Sequence, residues 1–197
     1  MPTLPIRCLL ALALMPPPAA AHAQREGKVV EIGAGASFVL PDGFVPQSGP
    51  AESGTMSWAN ADRTMTIDVR MRAYADGDAT SSAREFDDWP GVGLAFAVGF
   101  GTTLARAVED AVGAPCEREA VPLDHDPQRM AMLVRVDVTC GPTSEPFRYR
   151  AYAIGVLTRT RHVIIRIDNA ASAFEDGEAV VDTIWNTSAV AEDHRVR

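Results

Sequence analysis

The stretch Phe147 to Asp168, FRYRAYAIGVLTRTRHVIIRID, constrains the fold more than any other part of the chain. It holds two runs rich in β-branched and aromatic residues, joined by the polar turn Thr158 to Arg161, and this pattern predicts a hairpin of Phe147–Leu157 with His162–Asp168. In the first run Phe147, Tyr149, Ala151 and Ala153 oppose Arg148, Arg150, Tyr152 and Ile154. Either side can carry apolar area, as in a central strand covered on both faces. Val163, Ile165 and Ile167 form the expected buried side of the return strand. A capping box, Ser172-Ala173-Phe174-Glu175, is expected to open a last helix. Phe174, Glu178, Val181, Ile184 and Trp185 recur there at helical spacing. Burial of the apolar four would contribute on the order of 6 to 10 kcal/mol gross. Gly177 lowers helix propensity, and the tail from Ala189 is expected to fray.

The N-terminus carries targeting information rather than fold. Arg7, the apolar run Leu9 to Met15, a proline break at Pro16-Pro17-Pro18 and Ala21-His22-Ala23 fit a cleavable export signal over residues 1–23. The expected product is a single α+β domain over residues 24–197, beginning at Gln24 and located in the periplasm or secreted. Cys8 would leave with the leader. The prediction is a soluble domain, because the remaining sequence has no uninterrupted apolar run of the roughly 18 residues a membrane span needs. Removing Arg7 takes the basic side chains from 18 to 17 against 26 acids, a formal charge of −9. Such a field disfavours nucleic acid and anionic lipid as partners. Cys116 and Cys140 remain, an even pair expected to form a disulfide in an exported chain; free or metal-binding thiols are the competing reading.

Along the rest of the chain, Lys28–Ile32 and Ala36–Leu40 read as extended, Pro41-Asp42-Gly43 as a turn, and Phe44 and Val45 as returning to the core. Residues 46–54 read as loop. Thr55–Ala59 and Thr64–Tyr74 read as strands around the turn Asn60–Arg63. The second alternates Met65, Ile67, Val69, Met71 and Ala73 with Asp68, Arg70, Arg72 and Tyr74. Ala75–Ser82 is polar, and Ser81–Asp88 could start a helix. Pro90, Gly91, Gly93, Gly99 and Gly101 are expected to break regular structure, leaving residues 89–101 as either a buried strand or a closely packed helix, the helix being preferred because small residues on one side would let it approach the sheet. Thr102 or Thr103 then caps a helix to Val112, stopped by Gly113 and Pro115. Cys116–Leu123 is extended, Asp124-His125-Asp126-Pro127 a turn, and Arg129–Cys140 a strand, with Met132, Val134, Val136, Val138 and Cys140 on one side.

This order of elements resembles the α+β fold shared by the photosystem extrinsic subunit PsbP, the Ran-binding protein Mog1 and the envelope protein DcrB. The resemblance is carried by Ala36 to Phe44 (ASFVLPDGF), the hairpin ending at Asp168 and the closing helix Phe174 to Trp185. It implies a curved, mainly antiparallel sheet with covering helices, including a C-terminal one. It also implies an accessory or binding role, with no family active residue to carry over.

The residues themselves support few catalytic constellations. No G-x-S-x-G turn, H-E-x-x-H helix, phosphate loop or Rossmann glycine pattern is present. His125 between Asp124 and Asp126 lacks the second imidazole or cysteine expected of a zinc site. His162, at the hairpin turn, reads as a surface residue. No metal or cofactor is expected. Arg70, Arg72, Arg135, Arg148, Arg150 and Arg166, with Tyr152 and Tyr74 nearby, form the one cluster of interest. Arginine forks suit carboxylates, so a converging set would hold an acidic partner segment or a small acidic molecule. The alternative is that Asp68, Asp137 and Asp168 neutralise them across an ordinary solvated face. The expected function is an extracytoplasmic, non-enzymatic accessory module that binds another envelope protein. A carrier of a small acidic ligand is the second reading, and a hydrolase using His125 or His162 the third. The sequence sets no oligomeric state.

Overall fold

The computed structural model describes residues 27–48, 55–74, 91–142 and 144–196. The expected leader and its cleavage point lie outside these residues, as do Ala75–Ser82 and the helix start at Ser81–Asp88. The chain opens with a hairpin of β1 (Gly27–Gly33) and β2 (Ala36–Pro41). Its turn needs left-handed backbone at three successive positions, φ 88° at Gly33, 51° at Ala34 and 72° at Gly35. Two of these are glycine, which enters that region without a Cβ clash.

Then follow β3 (Val45–Ser48), β4 (Thr55–Ala59) and β5 (Met65–Ala73). After β5 come helix α1 (Gly91–Val112), β6 (Cys116–Asp126), β7 (Ala131–Cys140), β8 (Phe147–Leu157) and β9 (Arg161–Ala170). A 3-10 turn, Ala171–Ala173, leads into α2 (Phe174–Thr187), and β10 (Ala189–Val190) closes the fold.

Seven strands form one antiparallel sheet in the order β3-β4-β5-β9-β8-β7-β6, and β1-β2-β10 form a second, smaller sheet. The main core lies between the large sheet on one side and α2 with the small sheet on the other. Ile67, Val69, Ile154, Val163, Ile165 and Ile167 meet Phe38, Val180, Val181, Ile184 and Trp185 there. Phe38 and Trp58 meet edge to face at 6.0 Å. Helix α1 covers the opposite face at β6 and β7, where Leu104 and Val108 pack on Val136, Val138 and Ala151. Tyr152, Ile154 and Val156 belong to the first core and Ala151 and Ala153 to the second layer, so β8 is covered on both faces as its sequence predicts.

Several expectations need correction. The glycine-rich stretch takes the preferred, helical alternative, but without the expected break: residues 91–112 form one continuous helix of 22 residues. Its buried line, Gly93, Ala97, Gly101, Leu104, Ala105 and Val108, starts with small residues. A β-carbon at Gly101 would already stand 3.3 Å from Ala120 Cβ. Close contact with the sheet outweighs the roughly 1 kcal/mol a glycine costs inside a helix. Thr102 and Thr103 are not caps: their hydroxyls donate to the Val98 and Gly99 carbonyls one turn back, at 2.8 and 3.1 Å. By length and composition α1 would suffice to cross a bilayer, but in this fold its buried line packs on β6 and β7.

Val45 is 53 % exposed on an edge strand that includes Pro46 and Gln47, rather than returning to the core. Asp124 to Asp126 continue β6 past a bulge, and the turn begins at Pro127. No capping box forms at Ser172. The extended residue that starts the 3-10 turn is Ala170, and α2 begins at Phe174 without a side-chain cap. The tail does not fray at Ala189. Ala189 and Val190 pair with Ser37 and Ala36, and Val190 is buried.

Candidate functional site

Residues directly opposite one another in an antiparallel sheet share a face, so the register sorts the arginines. One row runs Ile67, Ile167, Tyr152, Arg135, and the row beside it on the same face runs Met65, Asn169, Arg150, Asp137. Arg148, opposite Thr139, belongs to this face too. The other face carries the row Asp68, Arg166, Ala153, Val134, with Arg70 opposite Ile164 and Arg72 opposite His162. The sheet therefore brings Arg135, Arg148 and Arg150 together with Tyr152, and separates them from Arg70, Arg72 and Arg166.

The first group locks the sheet to α2. Asp137 bridges Arg150 at 2.6 Å and Arg135 at 2.9 Å. Arg150 also reaches Glu178 of α2 at 3.3 Å and lies over the Phe174 ring at 4.5 Å. Tyr152 is buried beside them, and that burial raises its pKa. Arg148 is exposed and makes no ion pair with another described residue.

On the second face Arg166 is engaged. It pairs with the buried Asp168 at 2.7 Å and donates to the Tyr149 hydroxyl at 3.4 Å. Burial pushes the Asp168 carboxyl up, against the pull of Arg166. Burial also raises the Tyr149 hydroxyl, with the Asp168 charge adding to it. Arg70 and Arg72 differ. Both are exposed, they follow one another on the same side of β5, and neither makes an ion pair with another described residue.

His162 is not a surface residue. Its ring stands 6.3 Å from that of Phe96, and burial, then the Arg72 charge, lowers its pKa. The acids flanking His125 serve the frame. Asp124 accepts the Trp185 indole N–H at 2.9 Å, and Asp126 accepts the Gln128 and Arg129 amides at 2.9 and 3.0 Å. The cysteines stand opposite one another at the ends of β6 and β7 and form the expected disulfide. Beside them an open groove is lined by Val98, Cys116, Glu117, Arg118 and Ala120, a mixed-charge surface.

The reading of the sequence missed Arg159 and Arg161, taken only as turn residues. It also missed Arg129, whose guanidinium donates to the carbonyls of Trp185 at 2.5 Å and Ser188 at 3.3 Å. The sole sequence signal for the first two was a pair of cations in a four-residue turn.

The architecture is similar to that of a solved cyanobacterial protein. The solution structure of PsbP (CyanoP) from Synechocystis matches with a TM-score of 0.51 at 14 % sequence identity, covering 80 % of this chain and 88 % of that one. A crystal structure from Bacteroides thetaiotaomicron matches with a TM-score of 0.47 at 10 % identity, over 86 % of this chain and 50 % of that one, so this chain spans half of its length. No family model and no curated protein matches the sequence. The fold is PsbP-like, α+β with a mostly antiparallel sheet and a C-terminal helix, as the resemblance implies.

Proposed function

We propose that this PsbP-like chain is an extracytoplasmic, non-enzymatic accessory module that binds another envelope protein, and that Arg70 and Arg72 belong to its docking face. The observation that carries the reading is the unequal use of the arginines. Arg135, Arg150 and Arg166 are held by Asp137, Glu178 and Asp168 within the fold. Arg70 and Arg72 stand exposed on β5 and make no ion pair with a described residue, Asp68 on the same side of the strand included. α1 lies on the same face but packs on β6 and β7, toward the far edge of the strand order, and reaches β9 through Phe96 at His162. A guanidinium presented on a strand offers a fixed fork of donors to a partner carboxylate. The disulfide is compatible with an oxidising compartment, and the export signal expected over residues 1–23 supports the same location.

The test is capture of partners from native envelope by the wild type, by Arg70→Glu/Arg72→Glu and by Arg148→Glu. Loss of a specific partner by the double variant alone is the expected result. Equal recovery of every partner by all three proteins would reject the assignment of this face.

A further inference from the structure

We propose that the docking surface continues around the end of the large sheet onto the β8–β9 turn, through Arg159 and Arg161, and that it receives an acidic, extended polypeptide segment of the partner. This rests on the binding reading above and extends it to residues and a partner class that reading does not contain.

The cations gather at one end of a chain whose formal net charge is −8. Arg72 stands opposite His162 and Ala73 opposite Arg161, so the end of β5 lies against the start of β9. Arg159 projects from the turn between β8 and β9, and its amide donates to the His194 carbonyl at 2.7 Å. Arg70, Arg72, Arg159 and Arg161 are all exposed, and none makes an ion pair with a described residue. The described acids at this end are Glu192 and Asp193, and Asp193 faces His194 at 3.6 Å.

The turn that carries Arg159 and Arg161 is stiff. Thr158 is fully buried; its amide and hydroxyl both donate to the Arg161 carbonyl at 2.9 Å, and its hydroxyl accepts the Arg161 amide at 3.0 Å. The Tyr74 hydroxyl lies 2.9 Å from the Thr158 carbonyl and 3.0 Å from that of Arg161, pinning both ends of the turn to the end of β5. The backbone under these arginines is set before any partner arrives, so docking there does not have to order it.

The geometry favours a polypeptide over a small anion. By strand alternation Arg72 and Arg161 leave the sheet on opposite faces, so the cations follow a rim rather than converge in a cup. Arg70 and Arg72 are two positions apart on one strand, about 7 Å, and alternate acids of an extended segment repeat at the same spacing. A membrane surface fits less well, because cations that leave the sheet on opposite faces do not present themselves to one plane.

The experiment is a fluorescence anisotropy titration of the full chain with a labelled peptide of alternating Glu and Gly, at low and at physiological salt. Vesicles of anionic lipid serve as a second probe. Binding to the peptide that weakens with salt is expected, with affinity lowered about tenfold or more in Arg159→Glu/Arg161→Glu. It should be retained in Arg159→Lys/Arg161→Lys and unchanged in Arg148→Glu. A melting temperature equal to that of the wild type shows that the reversed variant is folded; if it is not, Arg159→Gln/Arg161→Gln takes its place. Peptide binding unaffected by the substitutions, or arginine-dependent binding to vesicles without binding to the peptide, would overturn the proposal. Either result can coincide with partner loss in Arg70→Glu/Arg72→Glu, so this extension can fail while the docking face on β5 stands.

Discussion

Gly177 lies inside α2, where an alanine would be favoured by about 1 kcal/mol on helix propensity alone. A β-carbon at that position would run into the Asn169 side-chain amide. Asn169 is fully buried, so its side chain would have to shift within the core. Overpacking of this kind costs about 1 to 3 kcal/mol, so Gly177→Ala should lower stability, read as a lower urea midpoint with an unchanged slope; a higher midpoint would show that Asn169 gives way. The sequence showed Gly177 only as a weak helix residue, because its reason lies on a neighbouring strand. His162 carries a pH prediction. Burial, then Arg72, holds its folded pKa below the ordinary value, so the unfolded chain takes up the proton first. That stability is complete above the unfolded value near pH 6.5 and is lost as pH falls through the folded one. Thermal unfolding at about pH 7.5 and about pH 5 should show a smaller loss in His162→Gln than in the wild type. An equal loss in both would exclude His162 as the source.

At the scale of the element, α2 is ended by a residue from a different part of the chain. The Arg129 guanidinium bonds the carbonyls of Trp185 and Ser188 and lies 4.5 Å over the Trp185 ring. A cation at a helix C-terminus also meets the negative end of the dipole. Arg129→Ala should destabilise by about 1.5 to 3 kcal/mol, the range for hydrogen bonds to charged groups. Arg106→Ala, at an exposed position on α1, should stay within about 0.5 kcal/mol, and denaturant unfolding of the two variants makes the comparison. Helix α1 shows where local reasoning fails at this scale. Gly93 and Gly101 read locally as breakers, yet with Ala97 they form the line that lets the helix lie on β6 and β7. Glu109 near its end opposes the dipole, but it accepts the Cys116 amide at 2.9 Å and so joins the helix to the start of β6.

For the whole molecule, the disulfide ties the outermost strand of the large sheet to its neighbour across a separation of 24 residues. A closed loop of that size is worth about 3.5 kcal/mol on the chain-entropy account. Cys116→Ala/Cys140→Ala should therefore unfold at a clearly lower denaturant concentration without reductant, and reduction should bring the wild type close to the variant. If reductant left the wild type unchanged, the bridge would have no part in its stability. What the sequence determined by itself was local and periodic. Alternating Val163, Ile165 and Ile167 made a strand, Val181, Ile184 and Trp185 made a helix face, and an even cysteine pair made a bridge. Period and composition act between neighbours in the chain, so they can be read without a fold. The tertiary structure alone decided which arginines are free. Asp137 and Asp168 stand two residues from Arg135 and Arg166 on their own strands, but Arg150 met Asp137 only through the β7–β8 register and Glu178 only through the packing of α2. The same register divided the six arginines between two faces and put Arg159 and Arg161 at the end of β5, because charge pairing acts across a few ångströms of space, whatever the separation along the chain.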